Sequence, residues 1–266
     1  MQTALITGGT SGLGAGFAKL LASEGHDLVI VARDETRLAE TAASLSQTYG
    51  ISVETISADL SQRDDVARVA ERLESTDAPI DILINNAGFG IHSPLTGADT
   101  SEHERAIDVM VRAVLLLGGA AGRAMSARGR GIILNVSSVA GYIRMGSYSS
   151  VKAFTTAYSE SLSVELRGTG VTVTTLTPGW VRTEFHQRAG ISSKSVPGFL
   201  WLDSDAVVNS AWRDATRGKA ISNPTARFKV LAWFCRHLPQ ATVRWISGKI
   251  SGSRRKHIAA STDKKE

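Results

Sequence analysis

Cysteine is almost absent: Cys235 stands alone in 266 residues. A single thiol excludes an internal disulfide and a cysteine-rich metal site, and it fits a reducing cytoplasmic setting. Long apolar runs are missing too. The longest apolar helix candidate, Ala113 to Gly122, is too short for a bilayer and is bounded by Arg112 and Arg123. No targeting segment is expected, because the strand-like run Thr3 to Thr7 begins beside Met1. The six histidines, His26, His92, His103, His186, His237 and His257, show no metal-ligand spacing, so no metal is expected. Acidic residues are scarce in one region. From Arg217 onward twelve Lys or Arg face only Asp263 and Glu266, which puts +10 there and −5 on residues 1–216 of a chain whose net charge is +5. The basic balance therefore belongs to the C-terminal part, and no nucleic-acid motif accompanies it.

What is present is a regular alternation of short apolar runs and amphipathic stretches. Apolar and charged contents of 42% and 21% are those of a globular chain. Strands are expected at Ala4 to Ile6, Asp27 to Ala32, Ser52 to Ser57, Asp81 to Ile84, Gly131 to Val136, Val171 to Thr177 and Lys219 to Ser222. Helices are expected between them, including Leu13 to Ser23, Glu35 to Tyr49, a long one from Ser101 to Arg128, Ser147 to Arg167 and Asp205 to Arg217. Alternation of this kind predicts an α/β fold, a doubly wound parallel sheet of about seven strands covered on both faces. One domain over 1–222 is expected, continued over 223–266 by a basic amphipathic extension whose polar end, from Gly252, should be mobile.

The first turn reads T-G-G-T-S-G-L-G. Gly8, Gly12 and Gly14 fall where backbone must bend tightly, approach a ligand and pack helix on strand, and with Thr10, Ser11 and Leu13 they form a candidate dinucleotide cradle. N–H groups at the helix start suit a pyrophosphate. The second strand ends in Ala32-Arg33 rather than an acid, which points to the 2′-phosphate of NADP(H) over NAD. Asp59, followed by Leu60, either accepts from the adenine amino group or caps the next helix with Ser61. Asn86, Ala87 and Gly88 end the fourth strand with small and amide side chains beside which a cofactor can lie.

Tyr148 and Lys152 are four residues apart, so on a helix both side chains leave one face. A phenol titrates near 10, and a fixed ammonium beside it is expected to lower that value. Ser138 would hold a substrate oxygen against the phenol, with Ser137 the lesser candidate; this is acid–base chemistry at a carbon exchanging a hydride with a nicotinamide.

Taken in order, Thr7 to Gly14, Asn85 to Gly88, the serine of N-V-S-S-V-A-G, Tyr148-x-x-x-Lys152 and Pro178-Gly179 resemble the short-chain dehydrogenase/reductase family over roughly residues 3–185. The resemblance implies a doubly wound fold, an NAD(P) cofactor, Tyr148 as acid/base, Ser138 orienting the substrate, and Lys152 holding the nicotinamide ribose. It also implies that Val181 and Thr183 lie near the carboxamide. Two positions depart from the family pattern. Met110 stands where a long-helix asparagine is usual, and the loop from Ser138 to Tyr148 is short.

All five tryptophans, Trp180, Trp201, Trp212, Trp233 and Trp245, lie in the C-terminal third, and they suit a lipophilic substrate, a core or a subunit interface. Trp180, after Pro178-Gly179, is the pocket candidate. Phe228, Leu231, Cys235 and Leu238 share one helical face and Lys229 and Arg236 another, a pattern that packs on the main domain or a second subunit, or rests on an anionic membrane. The expectation is an NADP(H)-dependent oxidoreductase of a lipophilic ketone or secondary alcohol, a homo-oligomer. The alternative is a non-catalytic cofactor-binding scaffold or membrane-surface protein.

Overall fold

The computed structural model describes residues 2–91, 93–183 and 198–249. His92, the stretch 184–197 with His186, and the chain from 250 on, with the end expected to be mobile, lie outside the described residues. The elements run β1 (Thr3–Thr7), α1 (Gly12–Ser23), β2 (Asp27–Ala32), α2 (Glu35–Tyr49), β3 (Val53–Ser57), α3 (Arg63–Glu74) and β4 (Ile82–Asn85). Next come α4 (Ser101–Ile107), a π turn (Asp108–Arg112), α5 (Ala113–Arg128), β5 (Gly131–Val136), a 3-10 turn (Val139–Tyr142), α6 (Gly146–Glu165) and β6 (Val171–Leu176). The last part holds β7 (Trp180–Val181), β8 (Trp201–Leu202), α7 (Ser204–Thr216), β9 (Ile221–Ser222), α8 (Ala226–His237) and a helix over 240–249 that we label α9.

Seven strands form one parallel sheet in the order β3-β2-β1-β4-β5-β6-β9. Its central strands are apolar on both sides because both faces are covered: Ile6, Ile30, Ile84 and Leu134 join one core with Phe17, Leu21 and Trp212, while Leu5, Val29, Leu83 and Ile133 join the other with Val69, Leu117 and Met125. The strand order reverses between β1 and β4, which opens a crevice at their carboxyl ends.

The stretch 101–128 is the long helix the sequence predicts, with one addition, a π turn within it. The π turn joins α4 and α5 into one 28-residue helix, which by length and composition is able to cross a membrane. Instead Met110, Ala113, Leu117, Ala121 and Met125 are buried in the second core. A second addition is a two-stranded parallel ribbon pairing Trp180 with Trp201 and Val181 with Leu202. Strands of two residues have no period to detect.

Candidate active site

The ends of β1 and β4 are stitched together by one threonine. Thr7 is 2% exposed, and its hydroxyl oxygen accepts hydrogen bonds from the backbone N–H groups of Asn86 (3.0 Å) and Ala87 (3.1 Å) while donating to Ile84 O (3.4 Å). Asn86 answers through Nδ2, which donates to Thr7 O (2.9 Å) and Gly8 O (3.2 Å). Sequence reasoning placed Asn86 and Gly8 here but assigned Thr7 no role; a polar β-branched residue ending an apolar strand just before a glycine pair was the signal.

The glycine turn is shaped by what it must pass. Gly8 has φ +67°, in the left-handed region, and a Cβ on Gly14 would stand 2.1 Å from Gly8 O. Ser11 begins α1 without a side-chain capping bond, so the first-turn N–H groups are left for another acceptor. Gly12 faces the Thr183 side chain, its Cβ position 3.5 Å from Thr183 Cβ. A glycine-rich turn at the positive end of a helix fits a pyrophosphate. Thr10, Ser11 and Leu13 lie in this segment, and Asn86, Ala87 and Gly88 border it.

Arg33 is exposed at the end of β2, and its charge reaches Asp59 at the end of β3. Burial raises the Asp59 carboxyl, but hydrogen bonds from Ser61 N (3.0 Å) and Ser61 Oγ (2.9 Å), with the charges of Arg105 and Arg33, outweigh it and hold the group below the usual range. Asp59 Oδ1 thus organises the turn before α3, and Arg105 lies 3.6 Å from Oδ2. Leu60 is buried in the core.

At the ends of β5 and β6 the two serines separate. Ser137, 2% exposed, donates to Lys152 O (2.7 Å) and shares a hydrogen bond with Thr156 Oγ1 (2.8 Å), which fastens strand to helix. Ser138 opens the 3-10 turn, accepts from Ala140 N (3.1 Å), and hydrogen-bonds the Tyr148 hydroxyl. Pro178 O accepts from Val139 N (3.1 Å) and from Ser138 Oγ (3.5 Å), binding β6's end to the same turn. Close packing explains how so short a loop reaches α6: a Cβ on Gly141 would stand 2.9 Å from the Lys152 backbone. Gly179 lies under the Phe228 ring, and Val181 is buried beside it in the first core.

Lys152 is one turn along α6 from Tyr148, 4% exposed, with Nζ 5.8 Å from the Tyr148 ring centroid and donating to Val136 O at 2.9 Å. Here the sequence expectation for the pair reverses. Burial pushes the Tyr148 phenol well above its ordinary value, the Ser138 hydrogen bond offsetting only part. Burial also pulls the Lys152 ammonium down to about 8. Desolvation of both groups prevails over their attraction at this separation.

Met110 sits within the π turn. A Cβ on Gly88 would lie 2.9 Å from Met110 Sδ and 3.7 Å from Lys152 Nζ, so the thioether walls the side of the site where the lysine ends. The Met110 carbonyl accepts from Thr155 Oγ1 (3.3 Å) on α6. Behind it, Asn85 Nδ2 donates to Asn135 Oδ1 (2.9 Å), Asn135 Nδ2 to Ser159 Oγ (2.9 Å) and Ser159 Oγ to Thr155 O (2.6 Å), a buried chain from sheet to helix. Among the described residues no group of three or more His, Cys, Asp or Glu is placed to hold a metal ion.

Comparisons with known proteins agree with this fold. The family described as short chain dehydrogenase matches residues 2–192. A very-long-chain 3-oxoacyl-CoA reductase of Laccaria bicolor is 38% identical over 177 residues, covering 64% of this chain and 52% of that protein, so the match spans about half of its length. A short-chain dehydrogenase from Sphingobium yanoikuyae, solved in complex with NADPH, superposes with a TM-score of 0.80 at 34% identity, covering 97% of this chain and 96% of that one. A bulky-bulky ketone specific alcohol dehydrogenase from Comamonas testosteroni gives a TM-score of 0.76 at 29% identity, over 97% and 94% of the two chains.

Proposed function

Because the chain belongs to the short-chain dehydrogenase family, whose members are nicotinamide-dependent oxidoreductases of CH–OH groups, we propose that it interconverts a lipophilic ketone and its secondary alcohol with NADP(H). What carries the reading is the hydrogen-bonded Ser138–Tyr148 pair, with Lys152 one turn away, at the sheet edge that also holds the glycine turn.

The nicotinamide, when bound, supplies or accepts the hydride. Gly8 to Gly14 would hold its pyrophosphate, Arg33 the 2′-phosphate, and the ends of β4 and β6, including Asn86 to Gly88, Pro178, Gly179, Val181 and Thr183, its remaining parts. Ser138 holds the substrate oxygen beside the Tyr148 hydroxyl. Tyr148, kept protonated at neutral pH by its burial, gives its proton to that oxygen in the reductive direction. Lys152, an ammonium below about pH 8, stabilises the tyrosinate left behind and would hold the cofactor ribose.

Lipophilic substrates are favoured by two observations. Proteins of similar sequence or structure carry names referring to very-long-chain 3-oxoacyl-CoA and to bulky ketones. The Trp180–Trp201 ribbon also leads directly out of Pro178-Gly179. Exposed Leu115, Leu116 and Val164 on α5 and α6 suit a second copy of the chain, and the single cysteine suits a cytoplasmic setting. Tyr148→Phe tests the reading: NADPH consumption across a panel of bulky ketones should disappear while NADPH binding persists. Turnover that survives in the variant removes Tyr148 from the chemistry.

A further inference from the structure

α8 and α9 each have two apolar faces. Inward, Phe228 packs over Gly179 and joins the first core, Ala232 and Val243 are buried, and Ser247 Oγ accepts from Arg144 N at 3.0 Å. That inner face differs from the one the sequence pattern suggests, since Leu231 is 42% exposed and Ala232 takes the contact. Outward, Val230, Trp233 and Phe234 recur at the spacing of one helical stripe and are 55%, 55% and 48% exposed, while Trp245 and Ile246 on α9 are 61% and 38% exposed. Ordinary packing therefore accounts for one side of these helices and leaves the other, aromatic side uncovered.

The charges around it narrow the choice of occupant. Residues 215–262 contain no Asp or Glu and ten Lys or Arg. Five of these, Arg227, Lys229, Arg236, Arg244 and Lys249, are exposed on the two helices, Arg236 being paired with Glu160 on α6 at 2.9 Å and Lys249 Nζ lying over the Trp245 ring at 3.9 Å. A self-complementary contact with a second copy would set this positive patch against itself. Nucleic acid would answer the charge but not the aliphatic and indole surface. A bilayer with anionic headgroups answers both, because tryptophan and phenylalanine settle at the headgroup level while lysine and arginine meet the phosphates.

We propose that α8 and α9 dock the protein on an anionic membrane surface, with Trp233, Phe234 and Trp245 entering the interface. Docking there sets the 3-10 turn and Pro178-Gly179, on which α8 rests, next to the source of a lipophilic substrate. The surface itself rests on exposure and charge and does not depend on the reaction.

The test is sedimentation of the full chain with phosphatidylglycerol-containing vesicles and with pure phosphatidylcholine vesicles, at low and high salt. Binding to the anionic vesicles alone, weakened by salt, is expected, and Trp233→Ser/Trp245→Ser should weaken it at least about tenfold. Circular dichroism and NADPH binding of that variant should stay at wild-type levels, since both side chains are exposed. Absence of vesicle binding overturns the proposal, as does binding indifferent to lipid charge. A protein whose sedimentation velocity shows a dimer that the double variant dissolves would assign the surface to a second copy and equally overturn it.

Discussion

Replacing Thr7 by valine keeps the shape of a side chain that is almost fully buried and deletes only its hydroxyl. Two backbone N–H groups, those of Asn86 and Ala87, then lose their acceptor, and Ile84 O loses a weak donor at 3.4 Å. A buried donor left unpaired costs about 1–3 kcal/mol, so Thr7→Val should destabilise the fold by about 2–4 kcal/mol. With a urea dependence of roughly 3 kcal/mol per molar for a chain of this size, the unfolding midpoint should fall by about 1 M. Urea titration followed by circular dichroism reads this directly. Thr7→Ser, which keeps the hydroxyl and removes a methyl group, should lose only about 1 kcal/mol. NADPH affinity should follow the same order, because the glycine turn and the Asn86 loop are held at their spacing by this group. A valine variant as stable as the parent, or a serine variant as damaged as valine, would refute the argument.

Arg33→Ala should weaken NADPH about 10- to 100-fold and leave NADH within about twofold, as measured by fluorescence titration; equal losses would remove the case for phosphate selection. Lys152 in the fold binds its proton less tightly than in the unfolded chain, so its buried charge opposes folding below about pH 8, and stability should rise as pH goes from there toward 10. Lys152→Met should accordingly be more stable than the parent at pH 7 without cofactor, by about 1–3 kcal/mol, lose that part of the pH slope in urea titrations, and have no turnover. Gly179→Ala would thrust a Cβ to 2.0 Å from the Phe228 ring, so α8 should lift from the body of the protein, seen as faster proteolysis near residue 226 with the sheet intact.

The sheet was readable because its strands are buried on both sides: Ala4-Leu5-Ile6 and Ile82-Leu83-Ile84 are unbroken apolar runs, and helices with apolar stripes separate them. The glycine turn was readable because Gly8 and Gly14 occupy places that a Cβ cannot share. What escaped depends on partners distant in sequence. Thr7 acts on residues 79 and 80 positions away, and Ser137 differs from Ser138 only through contacts with α6. The Tyr148–Lys152 pairing was visible as a spacing, yet its proton affinities follow from how deeply both groups are buried, which spacing does not encode. On α8 the face expected from the pattern holds at Phe228 but not at Leu231, because apolar residues occupy both sides of the helix and a periodic pattern then names no unique inner face.

The π turn at Asp108–Arg112 has a consequence for how the long helix can evolve. It lodges one more residue than a regular helix of the same rise, so everything downstream is out of phase by about 100° with everything upstream. The turn itself points Met110 at Gly88, and the downstream phase lays Leu117, Ala121 and Met125 in the core. Deleting any one residue between 108 and 112 would let the coil close up into a uniform spiral. The two halves could then no longer both meet their neighbours, and a change of a single codon would cost the protein either its catalytic wall or its interior.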